Sequence, residues 1–275
     1  MKLVIVGAKG MLGNMLSIVF ADQRPVLLDR EEIDITNEAS VRHALRDAEA
    51  THVINAAAYT NVDAAEERKE DAFLVNEVGV KNLGLICRQL SATLVHFSTD
   101  YVFPGTKQDG YMETDAPGPA INVYGQSKLA GERALKESGC NFYLVRTAWL
   151  YGPHGKNFVD TMLQLASRQD HLQVVSDQRG CPTYTKDLAE YIRTLFEGAY
   201  PFGIYHAVNE GDASWFEFAQ KIFEYTPGLA IVVKPVSSDE FPRPAKRPTY
   251  SILRNTKGPH MRSWQDALAE YLRGV

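Results

Sequence analysis

The 275-residue chain is 45% apolar and 23% charged, enough to bury a sizeable core and too apolar for a disordered polymer. Its 29 Lys and Arg against 34 Asp and Glu leave a net charge of −5, with no basic excess to neutralise a nucleic-acid backbone, so nucleic acid is not expected as a partner. The three cysteines, Cys87, Cys140 and Cys181, are too scattered for a disulfide framework, and no apolar run approaches the ~18 residues of a membrane span or a signal-peptide core, so a reducing, cytoplasmic setting without a membrane partner is expected.

Short apolar strings alternate with longer segments through the first half. Residues 3–6, 25–28, 52–55, 93–97 and 142–146 read as strands covered on both faces, and 38–49 and 66–89 as crossover helices between them. Strand, helix, strand in repetition predicts a doubly wound α/β fold, because parallel neighbours need a crossover. Further on, 157–168 and 186–196 read as helices, 172–176 and 204–208 as strands, and 214–225 as a helix capped by Ser214. Residues 235–248, with four prolines, read as an ordered loop before a last helix at about 263–272. The expected division is a sheet domain at 1–150, with segments of about 171–208 returning to the sheet, and a smaller C-terminal lobe from about 151–170 and 209–275 that holds a substrate.

The first strand runs into Gly7-Ala8-Lys9-Gly10-Met11-Leu12-Gly13, which opens the first helix. Glycine permits the tight turn and a close approach of backbone to phosphate, while the free N–H groups and positive dipole end of the helix receive the charge. An ordinary βα turn can carry such glycines. Asp29 closes the second strand about 20 residues on, where a ribose hydroxyl partner belongs, and with it the turn predicts a bound dinucleotide. Asp29 favours NADH, whereas Arg30 and Lys9 could receive the 2′-phosphate of NADPH, so the coenzyme stays open between the two.

Tyr124 and Lys128 stand four residues apart, on one face if the stretch is helical. A nearby cation favours phenolate, lowering the tyrosine pKa toward the range of a general acid or base. Such a pair also occurs on solvated helix faces. Thr99 follows the fourth strand, on the sheet edge where ligands of open α/β sheets sit, and is placed to hydrogen-bond a reacting carbonyl oxygen.

The glycine turn with the Thr99, Tyr124, Lys128 set resembles the extended short-chain dehydrogenases/reductases. The strings NAAAYTNVD (55–63), FSTDYVFPG (97–105), NVYG (122–125), DQRGCPT (177–183) and AKRP (245–248) are similar, more closely, to the dTDP-4-dehydrorhamnose reductase family, over nearly the whole chain. The resemblance implies a Rossmann-type NAD(P)-binding domain and NADPH- or NADH-dependent reduction of the 4-keto group of a nucleotide-linked deoxysugar, in the synthesis of polysaccharide precursors. It implies Tyr124 as proton donor to the sugar O4, Thr99 as polariser of that oxygen, and Lys128 as holder of the nicotinamide ribose. Gly7, Gly10, Met11, Leu12 and Gly13 would line the pyrophosphate, Asp34 and Ile35 the adenine, and Ala56, Ala57, Ala58 and Tyr59 the rest of the coenzyme. Val62, Tyr101 and Trp149 would shape the sugar pocket, though Trp149 also reads as a core aromatic.

Arg243, Lys246 and Arg247 form a basic cluster that reads either as a solvated loop or as a diphosphate clamp, with Arg247 as the substrate contact. The seven histidines form no HxxxH pair, so no metal site is expected. Dimers in the resembled family are associated with Mg²⁺ held by glutamates; Met15 and Lys186 occupy those positions here, Glu190 being the nearby carboxylate that could rebuild a site, and the expected state is monomer or homodimer. The alternatives are another nucleotide-sugar reductase or epimerase, and a non-catalytic NADP-binding regulator like that of methionine adenosyltransferase. A 4,6-dehydratase would need an acid after Asp100, where Tyr101 stands.

Overall fold

A computed structural model describes residues 1–228 and 231–274. Six parallel strands form the central sheet: β1 (Leu3–Val6), β2 (Val26–Leu28), β3 (His52–Asn55), β4 (Thr93–Thr99), β5 (Asn141–Thr147) and β6 (Gly203–His206). They lie in the order β6-β5-β4-β3-β1-β2, and alternation along them splits the core in two. Leu3 and Ile5 face α1 (Met11–Val19) and the helix Thr185–Glu197, packing on Leu12, Met15, Leu188 and Ile192. Val4 and Val6 face the other way, onto Val41 and Leu45 of α2 (Glu38–Asp47) and Leu83 and Ile86 of the helix Gly79–Leu90. Strands apolar on both sides therefore read as continuous runs, and only edge strand β2 leaves Val26 and Leu27 exposed.

The expected crossover helix over 66–89 is broken. The chain runs Ala64–Glu67, Lys69–Phe73, a wide π turn Leu74–Val78, then Gly79–Leu90. The helix Val123–Ser138 presses on that wide turn, and Gly131 is what lets it: a Cβ there would stand 2.0 Å from the Asn76 carbonyl oxygen. Of the 171–208 stretch, β6 joins the sheet and Thr185–Glu197 covers it, but His171–Val175 does not return. It pairs in parallel with Val232–Val236 in a separate two-stranded ribbon. Pro235, expected in a loop, lies in that ribbon, where both strands are edges and a missing N–H is tolerated.

A third buried cluster, away from the sheet, gathers Tyr151, Met162, Phe218, Trp264 and Leu268. Its helix Trp215–Glu224 starts at Ser214 with a reciprocal capping box to Glu217, as its sequence predicts, and Ser263 caps Trp264–Arg273. Among the described residues no helix is long and apolar enough to cross a membrane.

Candidate active site

At the carboxyl edge of the sheet the chain leaves β1 toward β2 on one side and β3 on the other, and there a cleft of about 580 Å³ opens. Gly7 and Gly10 from the turn, Asp29 and Arg30 after β2, Asp34 and Ile35, and Ala56, Ala57, Ala58 and Tyr59 after β3 all line it. Met11, Leu12 and Gly13 are not on its wall; they form the first turn of α1, with Leu12 and Gly13 buried. Gly7 holds φ at 77°, and a Cβ on it would stand 2.6 Å from the Ala57 nitrogen; one on Gly13 would stand 2.0 Å from the Gly7 oxygen. Gly10 begins α1 with no side-chain cap, so the first N–H groups of the helix stay free for a diphosphate. This cradle fits a dinucleotide.

Partial burial pushes the Asp29 carboxyl up, but the N–H groups of Arg30 and Lys9, each donating at 2.8 Å, hold it below the usual carboxylate range. It is therefore ionised and able to accept from ribose hydroxyls. Lys9 turns its ammonium to Glu31 at 2.7 Å, leaving Arg30 and Arg68 as the cations on the cleft wall, Arg68 paired there with Asp71 at 2.6 Å.

Thr99 ends β4 and caps a short turn, accepting from the Tyr101 N–H at 3.2 Å and donating to Asp100 Oδ1 at 2.8 Å. Asp100 is buried, which pushes its carboxyl up to about 6. Asn122 caps the helix Val123–Ser138 and donates to the Lys246 carbonyl, while Gly125 lies so close to the Tyr101 carbonyl that a Cβ would approach to 2.3 Å. That contact brings half-buried Tyr124 edge-on to Tyr101, ring centroids 5.9 Å apart, beside Thr99.

Burial raises the Tyr124 phenol, with the Thr99 hydroxyl pulling it partly back. The lowering by Lys128 expected from the four-residue spacing is absent. Lys128 is 2% exposed, its ammonium donates to the Phe97 carbonyl at 2.6 Å, and burial lowers it to about 8.

Arg247 is committed to Asp63, through Nη1 at 2.5 Å and Nη2 at 3.0 Å, next to Tyr101 and half-buried Val62. Arg243 and Lys246 are exposed, Arg243 still near enough to Asp63 to help Arg247 hold its carboxyl below the usual range. Trp149, half-buried with φ of 45°, stacks on Trp215 at 3.5 Å and packs between the Tyr151 cluster and the buried cluster of Val102, Phe103 and Val208; it is not on the wall of the glycine-cradled cleft. Met15 is buried in the sheet core and Lys186 pairs with Glu270 at 2.7 Å.

Four contributors escaped the sequence reading. Asn76, on the wide turn, exchanges hydrogen bonds with the Tyr59 backbone and donates to Ser127 at 2.9 Å, tying the cleft loop to the Tyr124 helix. Asn55 and His96 lie behind Lys128. Trp215 backs Trp149; its place in the first turn of an amphipathic helix was the signal available.

The family model described as RmlD substrate binding domain matches residues 1–275. The spore coat polysaccharide biosynthesis protein SpsK of Bacillus subtilis is 40% identical, covering 99% of this chain and 97% of its own. The dTDP-4-dehydrorhamnose reductase of Mycolicibacterium smegmatis is 40% identical over 100% of this chain and 86% of its own. The crystal structure of dTDP-4-dehydrorhamnose reductase from Bacillus anthracis in complex with NADP superposes with a TM-score of 0.95 at 39% identity, covering 99% of both chains.

Proposed function

From the premise that this chain belongs to the dTDP-4-dehydrorhamnose reductase family, we propose that it uses NADPH or NADH to reduce the 4-keto group of a nucleotide-linked deoxysugar, dTDP-4-dehydro-L-rhamnose giving dTDP-L-rhamnose. The observation that carries this is Thr99 and Tyr124 side by side at the carboxyl end of β4, one strand over from β3, whose following residues Ala56, Ala57, Ala58 and Tyr59 line the glycine-cradled cleft. The nicotinamide, when bound, supplies the hydride to sugar C4. Tyr124 gives its phenol proton to O4, and Thr99 turns its hydroxyl from Asp100 to that oxygen as charge develops. Gly7, Gly10 and the open start of α1 receive the diphosphate, with Met11, Leu12 and Gly13 setting that turn. Asp29 accepts from the ribose, Asp34 and Ile35 lie by the adenine, and Lys128 orients the nicotinamide ribose. The sheet domain holds the coenzyme; the lobe, with Trp149, Val62, Tyr101 and Arg247, receives the sugar nucleotide. Three free, buried cysteines support a reducing, cytoplasmic setting.

The test is loss of nicotinamide absorbance when NADH or NADPH is offered with dTDP-4-dehydro-L-rhamnose. Turnover is expected, with rate and sedimentation unchanged by EDTA, because Met15 and Lys186 are poor ligands for a hard cation. NADPH binding without turnover on a panel of 4-keto nucleotide sugars points instead to a regulatory role.

The coenzyme choice has a separate expectation. Arg30→Ala should raise KM for NADPH about tenfold and KM for NADH less than about twofold, since one exposed charge-assisted contact to the 2′-phosphate is lost. Equal losses with both coenzymes would remove Arg30 from that role.

A further inference from the structure

Behind Lys128 a polar chain crosses the sheet from the wall of the coenzyme cleft. Asn55 of β3 and His96 of β4 are neighbours in register, each 1% exposed. The Ala57 N–H donates to Asn55 Oδ1 at 3.1 Å, Asn55 Nδ2 meets His96 Nδ1 at 3.1 Å, and His96 Nε2 lies 3.4 Å from Lys128 Nζ. The direction of every contact follows from the first. A backbone N–H only donates, so the Asn55 atom it meets is the carbonyl oxygen, and the end facing His96 is the amide NH₂. That NH₂ only donates, so Nδ1 is the acceptor. Burial, together with the Lys128 charge, holds His96 well below the usual histidine range, so the ring is neutral and its single proton sits on Nε2.

We propose that His96 is a positioning residue for the reduction: fixed by Asn55 as the Nε2–H tautomer, it presents a donor to Lys128 and thereby sets both the place and the ionisation of that lysine. An N–H facing an ammonium is repulsive, whereas the same N–H donates to the lone pair of a neutral amine, so the contact favours release of the lysine proton. The other charged or titratable groups facing Lys128 are few. Glu132, one turn on along the same helix, pulls toward the charged form, but Arg146 of β5 grips it from both nitrogens. Tyr124, one turn back, is neutral, and Asn55 on β3 carries no charge. Against this background His96 is the β4 group that decides which face of the lysine nitrogen is met by an acceptor, the Phe97 carbonyl, and which by a donor.

The inference rests on the reductase reading for its purpose, but its test does not require turnover. Long-range ¹⁵N–¹H correlation spectra of the full chain without coenzyme should show His96 as the neutral Nε2–H tautomer at neutral pH. Titration of Lys128, followed at its Cε carbon, should have its midpoint raised by about one pH unit in His96→Gln, whose amide oxygen can turn to accept from the ammonium. Where the chain reduces the sugar, the alkaline limb of kcat/KM should move up with that midpoint. An Nδ1–H or doubly protonated ring would overturn the proposal even if the variant does not fold. So would a Lys128 midpoint unmoved in a folded His96→Gln, the signature of a residue that only fills space. Failure of turnover with both spectroscopic results intact would count against the reductase reading alone.

Discussion

Tyr124→Phe is expected to lower kcat by about 10²–10⁴-fold on a 4-keto nucleotide sugar while the Kd for NADPH stays within about twofold. The ring is held by its edge-on contact with Tyr101 and by the packing of its helix against the Asp100–Val102 turn, and phenylalanine keeps both. What is lost is the phenol proton that the proposed reduction gives to O4. Burial makes that proton easier to keep, not easier to lose: the phenol lies above its usual range, so at neutral pH it stands in the form a general acid needs. The group that limits the alkaline side is then Lys128, whose pKa burial lowers to about 8. Its ammonium is present below that value and lost above it, so activity should fall as pH rises through about 8 and be level on the acid side until Asp100, raised to about 6, takes up a proton. Activity of Tyr124→Phe within a few-fold of the parent chain, or loss of NADPH binding, would remove Tyr124 from the proton-donor role.

The parts of the site that the sequence made legible are those governed by local rules. A glycine turn after an apolar string, an acid at the end of the next strand, a threonine at a strand end and a tyrosine four residues before a lysine each follow from strand ends or helix spacing. The parts it hid are made by pairings distant in sequence. Asn76 reaches Ser127 across 51 residues and Asn55 meets His96 across 41, and neither asparagine differs locally from a cap or turn residue. The wide turn at Leu74–Val78 carries no proline, and the residue that permits it, Gly131, lies on another helix. The same holds for the lysine: the four-residue spacing puts it on one helix with Tyr124, but its pKa is lowered by burial against the pull of Glu132, and its ammonium is met by Phe97 and His96 of the strand beneath. In the fold, the six-stranded sheet was visible as buried apolar runs, whereas His171–Val175 looked like another such strand and pairs instead with Val232–Val236, since periodicity reports burial and not partner.

Glu132→Ala should destabilise the chain by about 3–5 kcal/mol, read as a lower midpoint of urea unfolding at unchanged slope. Glu132 and Arg146 are both fully buried, joined through Nε at 2.8 Å and Nη2 at 2.7 Å, and the Ser98 hydroxyl donates to the same carboxylate at 2.7 Å. Removing the acid leaves a guanidinium enclosed by the Phe103 ring, 4.9 Å away, and by His206, 3.4 Å away, whose own pKa is already lowered by burial and by Arg146. None of these can take the charge. The pair joins the Tyr124 helix, β5 and, through Ser98, the residue next to Thr99, so its loss should also cost turnover. The double variant Glu132→Leu with Arg146→Met separates the two effects. A buried ion pair exchanged for apolar side chains of similar volume is often neutral or stabilising by about 1–4 kcal/mol, so folding stability should return to near that of the parent chain. Turnover should not return, because leucine cannot accept from Ser98 and the helix loses its directional hold on β4. If the double variant recovers both stability and kcat, the pair serves the core and has no part in setting the geometry of Thr99 and Tyr124. If it stays unfolded, the volume argument fails and the site requires the charges themselves.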